Sequence, residues 1–172
     1  MKSTMELFSI AFALIISACT KEKPIDTVST TEPATVSALP TSVNKTVLLQ
    51  LVNDVRKKGC KCGDTYYGPV PAVTWNDKLA TAAYNHSEDM YKNKFFAHVA
   101  PDGSNAGVRI KRAGYPWMAY GENIATGYRT EKEVVQGWIE SPGHCKNIMS
   151  KLFKEMGVAR YGNYWTQTFG SR

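Results

Sequence analysis

Apolar residues recur at helical spacing from Val43 onward. Val43, Val47, Leu48, Leu51, Val52 and Val55 fall on one face, Thr41-Ser42 precede them and Gly59 follows as a stop. This pattern predicts an amphipathic helix that opens the folded part of the chain. A second helix is expected after Asn76, a suitable cap, with Leu79, Ala82, Ala83, His86 and Met90 on one face. A short helix is expected from about Ser104 to Ala113, stopped by Gly114. Thr130-Glu131-Lys132-Glu133 is a capping box for another helix, which turns Val134, Val135, Trp138 and Ile139 inward. Ser141-Pro142 then supplies a cap and a first-turn proline for a helix that carries His144 and Cys145 side by side. Tyr120 to Ala125 reads as a strand, and Gly157 to Arg160 with Tyr164 to Phe169 as a hairpin around Tyr161-Gly162-Asn163. The stretch from Cys60 to Ala72, with Gly68, Pro69 and Pro71, reads as a loop. Helices before, between and beside a few strands predict a layered α+β domain.

The chain ahead of Val43 has a different pattern. Lys2 is followed by an apolar run from Leu7 to Ile16 and then Ser17-Ala18-Cys19. The run is shorter than the ~20 residues of a membrane-spanning helix and has the length of a signal-peptide core. Small residues ending at a cysteine resemble the lipobox of bacterial lipoprotein signals, although Ile16 stands where leucine is more usual. Residues 1–18 are therefore expected to be a lipoprotein signal peptide and Cys19 the lipidated first residue of the mature protein; an ordinary secretory signal and an uncleaved anchor are the other readings. Residues 19–42 are rich in Thr, Ser, Pro, Ala and Val without helical or strand period, and read as a flexible tether. Residues 43–172 form the expected folded domain.

Composition supports one domain rather than two. The chain has 172 residues, and its 9 Tyr, 6 Phe and 4 Trp fall almost wholly after Asn44, which locates the core there. A net charge of +6 raises the question of nucleic acid. Lys and Arg are scattered among Asp and Glu and form no run or stripe, so no nucleic-acid partner is expected. The charge suits a basic soluble surface or attraction to anionic envelope polymers.

Three segments carry candidate chemistry: Phe95-Phe96-Ala97-His98, Gly121-Glu122-Asn123-Ile124-Ala125 and Ser141-Pro142-Gly143-His144. Together with His86-Ser87-Glu88-Asp89-Met90, Trp138, Asn147-Ile148-Met149 and Tyr164-Trp165-Thr166-Gln167, they resemble in order and spacing the CAP superfamily, the cysteine-rich secretory, antigen 5 and pathogenesis-related 1 group, in its bacterial form. The resemblance covers about Val43 to Phe169. It implies a three-layer α-β-α sandwich with a small antiparallel sheet between helices, held outside the cytoplasm, and a cleft lined by two histidines and two acids. By motif these are His98, Glu122 and His144. The second acid departs from the family pattern, because Ser141 stands where a glutamate is frequent and Glu140 lies one residue off. One residue on a helix rotates a side chain by ~100°.

Two imidazoles and a carboxylate suit a divalent cation such as zinc, with His98 and His144 as ligands, and equally suit a hydrogen-bonded network shaping a groove. No contiguous His-Glu-x-x-His signature is present. His86 sits on the apolar face of its helix and reads as a core histidine. Ser87 and Asp89 beside it are not accompanied by a Gly-x-Ser-x-Gly elbow, which argues against serine catalysis. In an exported protein, a disulfide from Cys62 to Cys145 is expected, with Cys60 as the alternative partner. A Cys60 to Cys62 bridge would close a very tight loop, and a Cys145 nucleophile with His98 as base is the less economical use of the cysteine.

The expected function is a membrane-tethered extracytoplasmic module whose cleft of His98, Glu122, His144, Glu140 and Ser141 binds a small ligand, amphipathic or envelope-derived, or a divalent metal. A metal-dependent hydrolase of envelope peptides or cell-wall polymer and a surface protein-interaction module are the alternatives. Fold membership alone selects none of them.

Overall fold

The computed structural model describes residues 42–172. The expected signal peptide, Cys19 and nearly all of the tether lie outside the described residues. The elements run α1 (Lys45–Lys58), β1 (Cys60–Cys62), β2 (Thr65–Tyr67), β3 (Thr74–Trp75), α2 (Asp77–Asn93), α3 (Ala106–Arg112), β4 (Ala119–Thr126), α4 (Glu131–Glu140), α5 (Pro142–Ile148), β5 (Glu155–Tyr161) and β6 (Tyr164–Ser171).

Short polar side chains start the helices by taking up free backbone N–H groups. Asn44 Oδ1 accepts from Val47 N at 3.1 Å, so the cap of α1 lies two residues beyond the expected Thr41-Ser42. Asn76 accepts from Lys78 N and Leu79 N to open α2. Asn105 caps α3, which begins at Ala106, two residues after the expected start. The capping box of α4 closes as expected, with Glu133 N donating to Thr130 Oγ1 and Thr130 N to Glu133 Oε2, each at 3.2 Å.

The main sheet has the order β3-β5-β6-β4. β4 and β5 both pair antiparallel with β6, and the two-residue β3 pairs parallel with β5, so the sheet is not wholly antiparallel. The expected loop after Cys60 contains instead a second, two-stranded sheet, β1 with β2, turning through Gly63-Asp64. Strand alternation assigns the two faces of the main sheet. Met156, Val158, Trp165 and Phe169 join Leu48 and Val52 of α1 and Val134 and Trp138 of α4 in one core. On the other face α2 lies against β5 so closely that a Cβ at Gly157 would collide with the backbone of Leu79 and Ala80. Thr168 Oγ1 also donates to Leu79 O there at 2.9 Å. The result is the expected three-layer α-β-α sandwich. Among the described residues no helix is long and apolar enough to cross a membrane.

Candidate functional site

The site forms where β4, α2, α3 and the loop after α2 meet. β4 places Glu122 in the interior, with its side chain 4% exposed. Gly121, one residue earlier, lets Phe153 pack against the strand, since a Cβ there would stand 2.6 Å from the ring. Burial pushes the Glu122 carboxyl up, but a hydrogen bond from His98 and the charge of Arg109 outweigh it and hold the group below the usual carboxylate range. Arg109 Nη2 donates to Glu122 Oε2 at 2.7 Å, and His98 Nδ1 donates to Oε1 at 2.9 Å. Both carboxylate oxygens are thereby engaged.

Arg109 is the residue that sequence reasoning missed. It lies on the seven-residue α3 next to Lys111 and Arg112, where a basic side chain reads as solvated. In the fold it is buried, and it also donates to Ser104 O at 2.7 Å and His98 O at 2.9 Å. One guanidinium thus holds both the acid and the backbone of the histidine that the acid orients.

His86 is the core histidine expected, 0% exposed, and yet it belongs to the same cluster. Its Nε2 donates to Ala97 O at 3.0 Å and lies 3.9 Å from Glu122 Oε1, while its Nδ1 is buried without a partner. A proton on Nδ1 would have no acceptor, so burial keeps this imidazole neutral, lowering its pKa with the help of Arg109 against the pull of Glu122. The signal for this role was its spacing of twelve residues from His98, which the Ala97 carbonyl bridges.

His144 is half-buried in the first turn of α5. Desolvation, reinforced by the neighbouring His98, lowers its pKa and favours the neutral ring. Asn123 Nδ2 donates to His144 O at 3.2 Å and to Gln167 Oε1 at 2.9 Å, and Asn147 Nδ2 donates to Glu122 O at 3.1 Å and to Asn123 Oδ1 at 2.8 Å. These amides tie α5 to β4, so the helix carrying His144 is registered against the strand carrying Glu122. The Cys62–Cys145 disulfide joins the same helix to β1.

Glu140 and Ser141 stand apart from this arrangement. Glu140 is exposed, and its Oε1 accepts from Gln136 at 2.8 Å along the outer side of α4. Ser141 occupies the cap position of α5, and its side chain makes no cap hydrogen bond. The cleft of about 280 Å³ beside the cluster is lined by His98, Asn105, Ala106, Tyr120 and Glu122. Trp117 stacks edge-on against Tyr120 and donates to Gly107 O, so it supports a cleft wall from behind.

The neutral histidines and the ionised Glu122 give the stability a pH dependence of fixed sign. All three folded-state values are lowered, so each group contributes stability above its unfolded value, lost as pH falls through the folded value. Unfolded histidine titrates near ~6.5 and glutamate near ~4.3. The urea midpoint is therefore expected to fall from pH 7 to pH 5.5 as the histidines are forced to charge, and further by pH 4. A midpoint unchanged between pH 7 and pH 4 would contradict this picture of the cluster.

The model of the cysteine-rich secretory protein family, CAP, matches residues 49–169. The uncharacterized protein YkwD of Bacillus subtilis (strain 168) is 34% identical over 143 residues, which cover 82% of this chain and 50% of that protein. The uncharacterized membrane protein YlbC of the same organism is 33% identical over 100 residues, 58% of this chain and 29% of that protein. The chain thus spans half the length, or less, of these relatives. An extracellular protein containing a SCP domain from Bacillus anthracis superimposes with a TM-score of 0.61 at 28% identity, over 74% of this chain and 41% of that one. An outer surface protein from Borrelia burgdorferi shares the fold, with a TM-score of 0.62 at 19% identity, over 74% and 91% of the two chains. With its sandwich, its His98-Glu122 pair and a family match from α1 to β6, the chain belongs to the cysteine-rich secretory protein family.

Proposed function

We propose that this protein works outside the cytoplasm, anchored to a membrane through a lipid on Cys19, and that the cleft of His98 and Glu122, with His144 of the neighbouring α5 beside it, binds a small envelope ligand with the help of a divalent cation such as zinc. The observation that carries the reading is the way His98 is held. Its Nδ1 hydrogen is committed to Glu122, which leaves the Nε2 lone pair on a side chain that is 54% exposed at an open cleft. A buried carboxylate that fixes a histidine's tautomer and ring orientation is the usual support behind a metal-binding imidazole.

The donor set fits a cation held by two protein nitrogens. His144 is kept neutral and its ring makes no hydrogen bond among the described residues, so its lone pair is available. Glu122 is engaged by Arg109 and His98 through both oxygens and acts from behind the ligands instead of joining them. A bound cation would supply an electrophilic point for a carbonyl or anionic oxygen. The chain's own residues would orient that ligand through His98, Asn105 and the Tyr120 ring, all on the cleft wall. The extracellular and membrane descriptions of the relatives from Bacillus support the assigned location.

Calorimetric titration with zinc tests the reading directly. One-to-one binding is expected, abolished in His98→Ala/His144→Ala and weakened roughly tenfold or more in Glu122→Gln, which keeps the shape but loses the ionised support. Zinc binding that survives the double substitution, or no binding by the unaltered protein, overturns it.

A further inference from the structure

Three cysteine sulfurs meet beneath α5. Cys62 and Cys145 form the disulfide, and the free thiol of Cys60 lies 3.3 Å from Cys145 Sγ and 3.8 Å from Cys62 Sγ. The cause is local: Cys60 and Cys62 are separated by one residue on β1, so both side chains leave the same face of the strand, toward α5. Among the described residues this is the one group of three or more His, Cys, Asp or Glu ligand atoms within 4.8 Å of one another. A structural staple needs two sulfurs; the third is in contact with both.

We propose that Cys60, Cys62 and Cys145 form a thiol–disulfide exchange site, in which the staple moves between Cys62–Cys145 and Cys60–Cys145 and small thiols enter through Cys60. In the exchange, Cys60 gives its proton to solvent and its thiolate attacks Cys145 Sγ. The Cys60–Cys145 bond forms as the Cys62–Cys145 bond breaks, and Cys62 leaves as a thiolate that takes up a proton. Oxidation state is unchanged. Cys60 stands beside both sulfurs, so the end-on approach that exchange requires is reached by rotating its side chain about χ1, which a residue of a short strand outside the main sheet allows.

The two pairings differ in what they expose. Cys62 and Cys145 are both buried, so the observed disulfide is closed to solvent, whereas Cys60 is half-exposed. In the second pairing an outside thiol can attack Cys60 Sγ, releasing the Cys145 thiolate, and a second equivalent completes the reduction to two protein thiols and one small disulfide. The third sulfur is therefore the accessible route to a staple otherwise shielded by burial. Desolvation raises the Cys60 pKa, so exchange is expected to accelerate as pH rises and the thiolate is populated.

Cleavage after Lys58 and Lys61 separates Cys60 from Cys62, which makes the pairings distinguishable by mass. The protein would be alkylated without reduction, digested and mapped, beside Cys62→Ser and Cys60→Ser, with circular dichroism to confirm folding. In Cys62→Ser the Cys60–Cys145 bond is expected to form, leaving neither of these two cysteines as a free thiol. In Cys60→Ser, which keeps the observed disulfide, reduction by glutathione is expected to be roughly tenfold slower than in the unaltered protein, since the accessible pairing is lost. Folded Cys62→Ser with Cys60 and Cys145 both free, or Cys60→Ser reduced as fast as the unaltered protein, overturns the proposal. Should Cys62→Ser fail to fold, the Cys60→Ser rate alone decides.

Discussion

Replacing Glu122 with alanine is expected to destabilise the fold by about 3–5 kcal/mol, the range found when one partner of a buried ion pair is removed. The buried Arg109 loses its carboxylate partner and retains only carbonyl acceptors, Ser104 O and His98 O. Its Nε is already buried without a partner, so no spare hydrogen bond softens the loss. His98 loses the acceptor that sets its tautomer, and its ring is freed to rotate. Urea denaturation would read the effect as a fall in midpoint with an unchanged slope. The control is Glu122→Ala combined with Arg109→Met, which removes the stranded charge as well. The double variant is expected to be more stable than Glu122→Ala alone, because much of the single-variant loss is the penalty of an unpaired buried cation rather than the net worth of the pair. A single-variant loss below about 1 kcal/mol would place the pair in the class of screened surface bridges and remove the basis for treating Arg109 as part of the site.

How far the sequence reveals this site depends on the range of the interaction involved. α1, α2 and α4 were legible because apolar spacing and a local cap act within one helix, and His98 and Glu122 were legible as a resemblance of motifs. Arg109 was not, since nothing within α3 distinguishes it from Arg112, which is exposed and paired with Asp102 at 3.1 Å. What separates the two is which side of a seven-residue helix faces β4, a property of the packed fold. Glu140 was a candidate because it lies one residue from the place where the family often has a glutamate; α4 turns it outward to Gln136, in keeping with the ~100° that one residue rotates a side chain. The β1–β2 hairpin carried a readable signal, Gly63-Asp64 between two short runs, that the prolines following it obscured. Asn123 and Gln167 were visible in motifs, but their hydrogen bond across the sheet exists only through the pairing of β4 with β6.

Arg56→Met is expected to rival Glu122→Ala in effect, at about 3 kcal/mol or more, although Arg56 touches no part of the cleft. Arg56 is 0% exposed and has no carboxylate partner among the described residues. Its guanidinium donates instead to four carbonyls: Pro71 O at 2.8 Å, Ile148 O at 2.6 Å, Ser150 O at 3.0 Å and Phe153 O at 3.3 Å. Ile148 ends α5, so the cation sits at the negative end of that helix and binds the chain that leaves it. Burial lowers the Arg56 pKa to about 10, which still leaves it charged at neutral pH. Methionine fills comparable volume but leaves those carbonyls with fewer donors in a dry core, each worth about 1–3 kcal/mol when buried and unsatisfied. Lysine would restore the charge without the planar fork and is expected to recover less than half of the loss. The consequence reaches the site because α5 is held at its start by Cys62 and Asn123 and at its end by Arg56. With the end released, His144 loses a fixed position relative to His98, so Arg56→Lys, if folded, is expected to weaken zinc binding while leaving the one-to-one stoichiometry intact. Thermal and urea melts of both variants, with zinc calorimetry on Arg56→Lys, check the account. An Arg56→Met protein within about 1 kcal/mol of the unaltered chain would show that water replaces the guanidinium and that α5 is held by its other contacts.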